Sequence, residues 1–448
     1  GYVKFWVGSL KSPWKRALKR HTAGLKVNSG KLVGFLKGPD KMRILIIAQY
    51  FKPESVGASI WIHQLAVDLV NMGHRVTVLT GFPNYPKRII FDGYRGKMFM
   101  REQIDGVDVV RTYIYASPNE ALWSRALNFG SFCASAAFGG LVVPKPDVIY
   151  CVMPPLPLGL SAEFLGFFKR APVVVNIQDI YPDIAIALGF LRNRLVIRFF
   201  QAMERFIYRR AAAIIVISDG FKENLLGKGV APSKIYVVPN WADPDFVRPG
   251  PKDNSFRQQL GVGDRFTLIY SGNLSHNSNL EPVIGAAELL RDQPFAFVIV
   301  GDGVRKAQLE RRVLEKQLNN VLFLPFQPLE IYPQVLTAAD MNLVTLSTQA
   351  AMASVPSKVF KMMASGRPVL AITVQGNELH RLVSDAKCGL CVPPDDPVAL
   401  ADALRYAASH RDELERMGEN GRRYLEEHFS RQKCVAQIEK ILVKAARQ

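Results

Sequence analysis

The sequence predicts an α/β protein of two tandem domains, each a parallel β-sheet covered by helices. Three observations predict it: short runs of apolar residues without alternation, amphipathic stretches between them, and a proline-rich break after which the pattern starts again. With 448 residues, 48% of them hydrophobic, the chain has material for two large cores.

The order begins at Met42. Ile44 to Ala48 reads as a first strand, a helix follows with Ile62, Leu65, Ala66, Leu69 and Val70 on one face, and Val76 to Thr80 completes a βαβ opening. Further strands are expected at 107–111, 148–152, 173–177, 213–217 and 235–238, several apolar throughout, as strands covered on both faces should be. The segment from Pro239 to Phe246, followed by Pro249-Gly250-Pro251, is polar and proline-rich and marks a domain boundary. Strands then recur at 267–270, 295–300, 321–324, 341–344 and 369–372, with helices around 280–290 and 305–317. The expected domains are 42–240 and 241–425, with a last helical segment, 426–448, returning to the first.

Residues 1–41 show no clear period and carry ten lysines and arginines against Asp40 alone, half of the net charge of +18. They read either as an extension outside the fold, non-native or disordered, or as a basic arm bearing Trp and Phe that rests on anionic lipid. Five scattered cysteines without a secretory pattern suit a reducing, cytoplasmic setting. Cys388 and Cys391 form a CxxC with no second pair and no histidine cluster, so a packed turn before Pro393-Pro394 is expected and no metal. The uncharged run Ala126 to Val143 is rich in small residues and interrupted by Asn128 and Ser135, which fits a buried or membrane-surface helix better than a span. The basic balance could suggest nucleic acid, but the motifs that read it are lacking.

In open α/β sheets ligands sit beyond the carboxyl ends of strands, which directs attention to the loops there. Ser354 to Thr373, SVPSKVFKMMASGRPVLAIT, places a proline, a hydroxyl and two lysines at an expected helix start, with Gly366 and Pro368 as its stop. Lysines at the positive end of a helix are unfavourable unless an anion lies between them, so Ser357, Lys358 and Lys361 are candidate phosphate ligands; solvated lysines are the alternative. Gly57 would let the backbone approach a phosphate or sugar closely, or simply turn the chain. Asp179, in the run Gln178 to Asp183, puts a carboxylate at a strand end, where it can accept a hydrogen bond from a hydroxyl or cap the next helix, as Asp183 could.

PES-VGA at 53–58, GHRVTVLTGFPNYP at 73–86, PNWAD at 239–243, YSGN at 270–273, VGDG at 300–303, PSK at 356–358, ASGRPVLA at 364–371 and GLCVPPDDP at 389–397 occur in that order. Together they resemble the retaining GT-B glycosyltransferases of family four, above all the branch that builds bacterial exopolysaccharide and O-antigen units. The resemblance implies two Rossmann-like domains facing across a cleft, with acceptor on the first and nucleotide sugar on the second. It also implies transfer with retention, and neither metal nor cofactor beyond a UDP- or GDP-linked donor. Carried over by position, donor contacts fall on Gly57, Gly272, Asn273, Gly301, Phe326, Gln327, Ser357, Lys358 and Lys361, and acceptor contacts on Gln178, Asp179, Tyr181 and Asp183; Asp179 and Lys358 would be catalytic.

Two departures stand out. Asn273 occupies the place of an arginine found in many members, with His276 or Lys361 to compensate, and the family's two glutamates fall on Ala353 and Lys361. The implied acceptor is a saccharide, free or lipid-linked, met at the inner face of the plasma membrane. Phe164 to Arg170 and Arg192 to Arg210 offer basic, aromatic faces to anionic lipid, or are solvated helix faces over core aromatics. A nucleotide-sugar epimerase of the same fold and a binding subunit without turnover remain as alternatives.

Overall fold

The computed structural model describes residues 41–54, 58–119, 121–187, 189–275, 278–345 and 357–448. Residues 42–448 form one compact unit holding two sheets.

The first sheet contains β1 (Arg43–Ile47), β2 (Arg75–Gly81), β3 (Phe99–Ile104), β4 (Val107–Thr112), β5 (Val148–Met153), β6 (Val173–Ile177), β7 (Ala213–Val216) and β8 (Ile235–Val237), in the order β3-β4-β2-β1-β5-β6-β7-β8. All its pairings are parallel except β3 with β4. The second holds β9 (Phe266–Ser271), β10 (Phe295–Val300), β11 (Val321–Leu324), β12 (Met341–Thr345), β13 (Val369–Ile372) and β14 (Gly389–Val392), in the order β11-β10-β9-β12-β13-β14, all parallel. The direction of winding reverses between β1 and β5 in one sheet and between β9 and β12 in the other. Those are the crevices where such sheets bind ligands.

The strands are apolar throughout because both faces of each sheet are covered. Along β1, Leu45 and Ile47 pack into one core while Ile44 and Ile46, with Ala48 just after the strand, pack into the other, and β5 splits the same way. The second face of the first sheet is covered partly by the last helix, Arg431–Ala446, through Cys434, Val435, Ile438, Ile441 and Leu442.

Two strands lie outside the expected set. β3 reads FMREQI, half polar, and is an edge strand turned back on β4 through Asp105-Gly106, both at positive φ (49° and 81°). That Asp-Gly pair is the usual mark of a two-residue hairpin and was the available signal. β3 also supplies Glu102, the partner of the fully buried Arg111. β14 takes in Cys391, so the expected packed turn at Cys388–Cys391 is instead an edge strand. Burial pushes the two thiols up, Cys388 to about 12 and Cys391 to about 11, so both stay protonated near neutrality. Gly389 is required there: a Cβ would fall 1.8 Å from the Val369 carbonyl oxygen.

The chain crosses between the sheets twice, and the crossings are tied together. Ala242 bridges to Ser430, and Arg431 binds Asp68 in the first domain (2.7 and 2.8 Å) and Asp243 in the linker (3.1 Å). Trp241 is buried, donates to Gln64 Oε1 at 3.0 Å and meets Trp61 edge-on at 5.7 Å. A third tie closes one end, where the Gly220 amide donates to Glu378 Oε1 at 2.5 Å.

Candidate active site

A cleft of about 600 Å³ lies between the domains at the carboxyl ends of the strands. From the first domain come Gln178 and Asp179, following β6, with Tyr50 and Trp61; from the second come Ser357 and Lys361.

Gln178 is fixed on three sides. Its amide N–H donates to the Met153 carbonyl (2.9 Å), its Nε2 to Asn176 Oδ1 (2.6 Å), and its Oε1 accepts from Asn240 of the linker (2.8 Å). Asp179 has no such support. No donor among the described residues reaches its carboxylate, and burial raises its pKa to about 6. A poorly solvated carboxylate left without a partner is costly in a folded protein unless a ligand completes it. Burial raises the Tyr181 phenol, the Asp179 charge adds to that, and Arg125 opposes it. Asp183 is engaged elsewhere, with Lys228 (2.9 Å) and Asn224 (3.0 Å), in a cluster that includes Glu204; it begins the short helix Asp183–Ala187 and does not line the cleft.

On the other side, the loops after β9 and β10 interlock. Gly272 N donates to the Val300 carbonyl (3.0 Å) and Leu274 N to the Asp302 carbonyl (2.8 Å). The approach leaves no room for side chains: a Cβ on Gly301 would stand 2.0 Å from the Gly272 oxygen, and one on Gly303 2.5 Å from Asn273 Oδ1. Lys358 Nζ sits 4.0 Å from the Tyr270 ring centroid, beside the bare Cα of Gly272. Tyr270 is itself held by a hydrogen bond to the Asn273 carbonyl at 2.9 Å. One turn on, Lys361 Nζ lies 5.4 Å from the Tyr332 centroid, and desolvation lowers its pKa. Both lysines therefore meet aromatic faces and, among the described residues, no carboxylate.

These lysines ride on the helix Lys358–Ala364. Seven residues give only a short dipole, and Ser357 at its N-cap makes no side-chain capping bond, so the ammonium groups carry most of the positive field. Gly57, His276, Ala353 and Pro356 lie outside the described residues. Phe326 is exposed and the Gln327 side chain donates to the Pro325 carbonyl (3.0 Å); neither lines the cleft.

The structure thus gathers Gln178, Asp179, Ser357 and Lys361 around one cavity, with Lys358, Gly272, Asn273 and Gly301 in an adjoining cluster. Sequence reasoning passed over the aromatic wall. Tyr50, Trp61 and Trp241 line the cleft, and Trp241 belongs to a segment read as a domain boundary and a family motif but given no role in the site; a tryptophan in a polar, proline-rich stretch was its signal.

Two family models match in tandem, "Glycosyl transferase 4-like domain" over residues 56–241 and "Glycosyl transferases group 1" over residues 251–424. A protein of Escherichia coli strain K12 named as a colanic acid biosynthesis glycosyl transferase, WcaI, is 31% identical over 375 residues, 82% of this chain and 92% of its own length. WbjE of Pseudomonas aeruginosa, named as a glycosyltransferase, is 27% identical over 57% of this chain and 65% of itself. Among solved structures, Anabaena HepE in complex with UDP superposes with a TM-score of 0.68 at 19% identity, over 90% of this chain and all of its own. The paired sheets, the matched models and the relative aligned nearly end to end agree: the chain belongs to the GT-B glycosyltransferases of family four, of the exopolysaccharide and O-antigen type.

Proposed function

We propose that the protein transfers a sugar, with retention at the anomeric carbon, from a UDP- or GDP-linked donor to a saccharide on a lipid carrier, in exopolysaccharide or lipopolysaccharide assembly. The observation that carries the reading is the placing, at one cleft and the cluster beside it, of two lysines that meet no carboxylate and a carboxylate that meets no donor among the described residues. The bond from the anomeric carbon to the donor diphosphate breaks, its electron pair staying on the phosphate oxygen. The acceptor oxygen bonds to the same face of that carbon, and its proton passes to the departing diphosphate. Lys358 and Lys361, with Ser357, offset the growing diphosphate charge; Asp179, ionised, accepts from the acceptor hydroxyl and aims it. The reaction needs no cofactor beyond the donor. The colanic-acid name of the Escherichia coli relative supports the pathway, and the UDP held by HepE supports a nucleotide donor.

The test is a melting-temperature screen against UDP-, GDP- and ADP-sugars, followed by NMR of the product's anomeric proton. A donor at 100 times its Kd adds about 2.7 kcal/mol, so the right nucleotide family should raise the Tm visibly. No response to any donor would sink the transferase reading; an inverted product would sink retention alone.

A membrane surface for this chemistry is supported by three helices of the first domain. Among the described residues no helix is long and apolar enough to cross a membrane. Three adjacent helices, Leu122–Gly139, Pro157–Lys169 and Arg194–Arg210, nevertheless expose Phe138 (69%), Phe167 (68%) and Leu195 (74%), with Phe168, Phe199 and Phe206. On Arg194–Arg210 at about 100° per residue, Arg194, Arg198, Arg205 and Arg209 form one stripe and Leu195, Phe199 and Phe206 the next. A basic stripe beside an apolar one suits the headgroup boundary of an anionic bilayer. The double variant Phe167→Ser/Phe199→Ser should sediment with phosphatidylglycerol vesicles at least tenfold less than the parent, since each buried phenyl contributes about 1.5–3 kcal/mol. Equal sedimentation of the two would remove this face from the proposal.

A further inference from the structure

A second, smaller cavity of about 120 Å³ adjoins the first domain's half of the cleft, sharing Tyr50 with it. Its walls include Tyr85, Arg88, Ser117, Ser124 and Arg125. The loops that build it are pinned from behind by Glu54, whose carboxylate accepts from the amides of Phe51 (3.2 Å), Asn84 (2.9 Å) and Tyr85 (2.9 Å). That fixes Tyr50 against Tyr85, with ring centroids 5.6 Å apart, and leaves Glu54 facing the backbone. Asn128, at the cavity wall, is held by Gln49 Nε2 (2.7 Å) and the Tyr115 carbonyl (2.6 Å).

The two arginines are what this rigid frame leaves over. Among the described residues neither guanidinium meets a carboxylate or a carbonyl, and Arg88 Nη1 is buried without an acceptor. Arg88 is also held at φ +54°, an unusual conformation for its residue type. A buried guanidinium nitrogen with no partner is rare, and an oxyanion is the ligand whose geometry a guanidinium matches best. The cavity has room for a phosphate-sized group and not for a nucleoside. It is also placed for the acceptor: burial raises the phenols of Tyr50 and Tyr181, and the charges of Arg88 and Arg125 respectively reach far enough to oppose that rise.

We infer that Arg88 and Arg125, framed by Tyr50 and Tyr85, bind a phosphate or diphosphate group of the acceptor. The inference rests on the transferase reading and adds to it the anionic part of the acceptor. Ser124 and Arg125 come from the same helix, Leu122–Gly139, that exposes Trp123, Leu127 and Phe138 within about 60° of one another on its wheel. A phosphate seated here would have its lipid, if it carries one, leaving beside the apolar face. The same chemistry fits a free sugar phosphate, so the two sources need separate probes.

Calorimetric titration of the full chain with farnesyl diphosphate, glucose 1-phosphate and inorganic pyrophosphate tests the assignment. At least one probe should bind, and Arg88→Gln and Arg125→Gln should each weaken it tenfold or more while donor-nucleotide binding stays within twofold of the parent. Lys358→Ala should leave this binding in place, which separates it from the donor diphosphate site. Preference for farnesyl diphosphate identifies a lipid carrier, and preference for glucose 1-phosphate a free sugar phosphate. Binding by both arginine variants equal to the parent's, or no binding of any probe by the parent, overturns the inference. Arg125 is exposed, so its variant keeps the test valid even if Arg88→Gln does not fold. If no nucleotide binds while the phosphate probes do, the transferase reading fails and the phosphate site stands.

Discussion

Replacing Lys358 by alanine should lower kcat by about 10²–10³-fold, corresponding to roughly 2.7–4 kcal/mol of lost stabilisation where charge develops in the transition state. The ammonium is pre-positioned: Tyr270 holds it from one side, Tyr270 is locked onto the Asn273 carbonyl, and Gly272 leaves the space beside it open. Because Lys358 has no carboxylate partner among the described residues, the fold should not suffer the penalty of a broken ion pair. The cation–π contact is worth about 0.5–2 kcal/mol, and removing one of two like charges on adjacent turns returns some of that. The Tm should therefore stay close to the parent's while turnover collapses. Single-turnover kinetics at saturating donor would check this, and a kcat within threefold of the parent would remove Lys358 from the reacting centre. Lys358→Arg should not restore full activity, because a guanidinium is bulkier than the compact ammonium and spreads its charge over three nitrogens instead of focusing it at one point.

What the sequence made legible, and what it hid, divides along physical lines. Strands buried on both faces announce themselves as unbroken apolar runs, so β1, β5, β6 and β10 were readable from composition alone. Edge strands carry no such signature. β3 has one face in water and β14 is four residues long beginning with glycine, and each owes its existence to the neighbour it pairs with. The loops that carry chemistry were locatable because parallel sheets release their ligands at one edge. The contacts within those loops were not, since they depend on distances no pattern encodes. Asp183 and Asp179 look equivalent four residues apart, yet Lys228 neutralises one and, among the described residues, nothing reaches the other. The two lysines invited a helix-dipole argument, whereas aromatic faces are what hold them. Trp241, in a segment that reads as a spacer, is buried at the joint between the domains.

Exchanging Asp179 for asparagine should make the protein more stable and less active, and the pH dependence of each effect fixes the reason. The carboxyl has its pKa raised by burial from 3.8 to about 6. Between those values the folded state holds a proton that the unfolded state has released, so stability falls as pH rises through that window and the full cost is present above it. At about 1.36 kcal/mol per unit, the upper bound is roughly 3 kcal/mol at neutral pH. The amide that replaces the carboxylate carries no charge to desolvate, so the variant should melt several degrees above the parent at pH 8 and alongside it below pH 4. Activity should move the other way. Only the ionised carboxylate is a pure acceptor for the incoming hydroxyl, so the parent's kcat/KM should climb with pH through about 6 and level off above it. The variant should be flat across that range and lower by about 10- to 100-fold, the worth of a hydrogen bond to a charged group. Melting curves and rate profiles on both proteins from pH 4 to 8 decide the matter. A carboxylate that merely filled space would gain the same stability on substitution and leave the rate profile unchanged, whereas a charge kept in place at a thermodynamic cost is one the reaction uses.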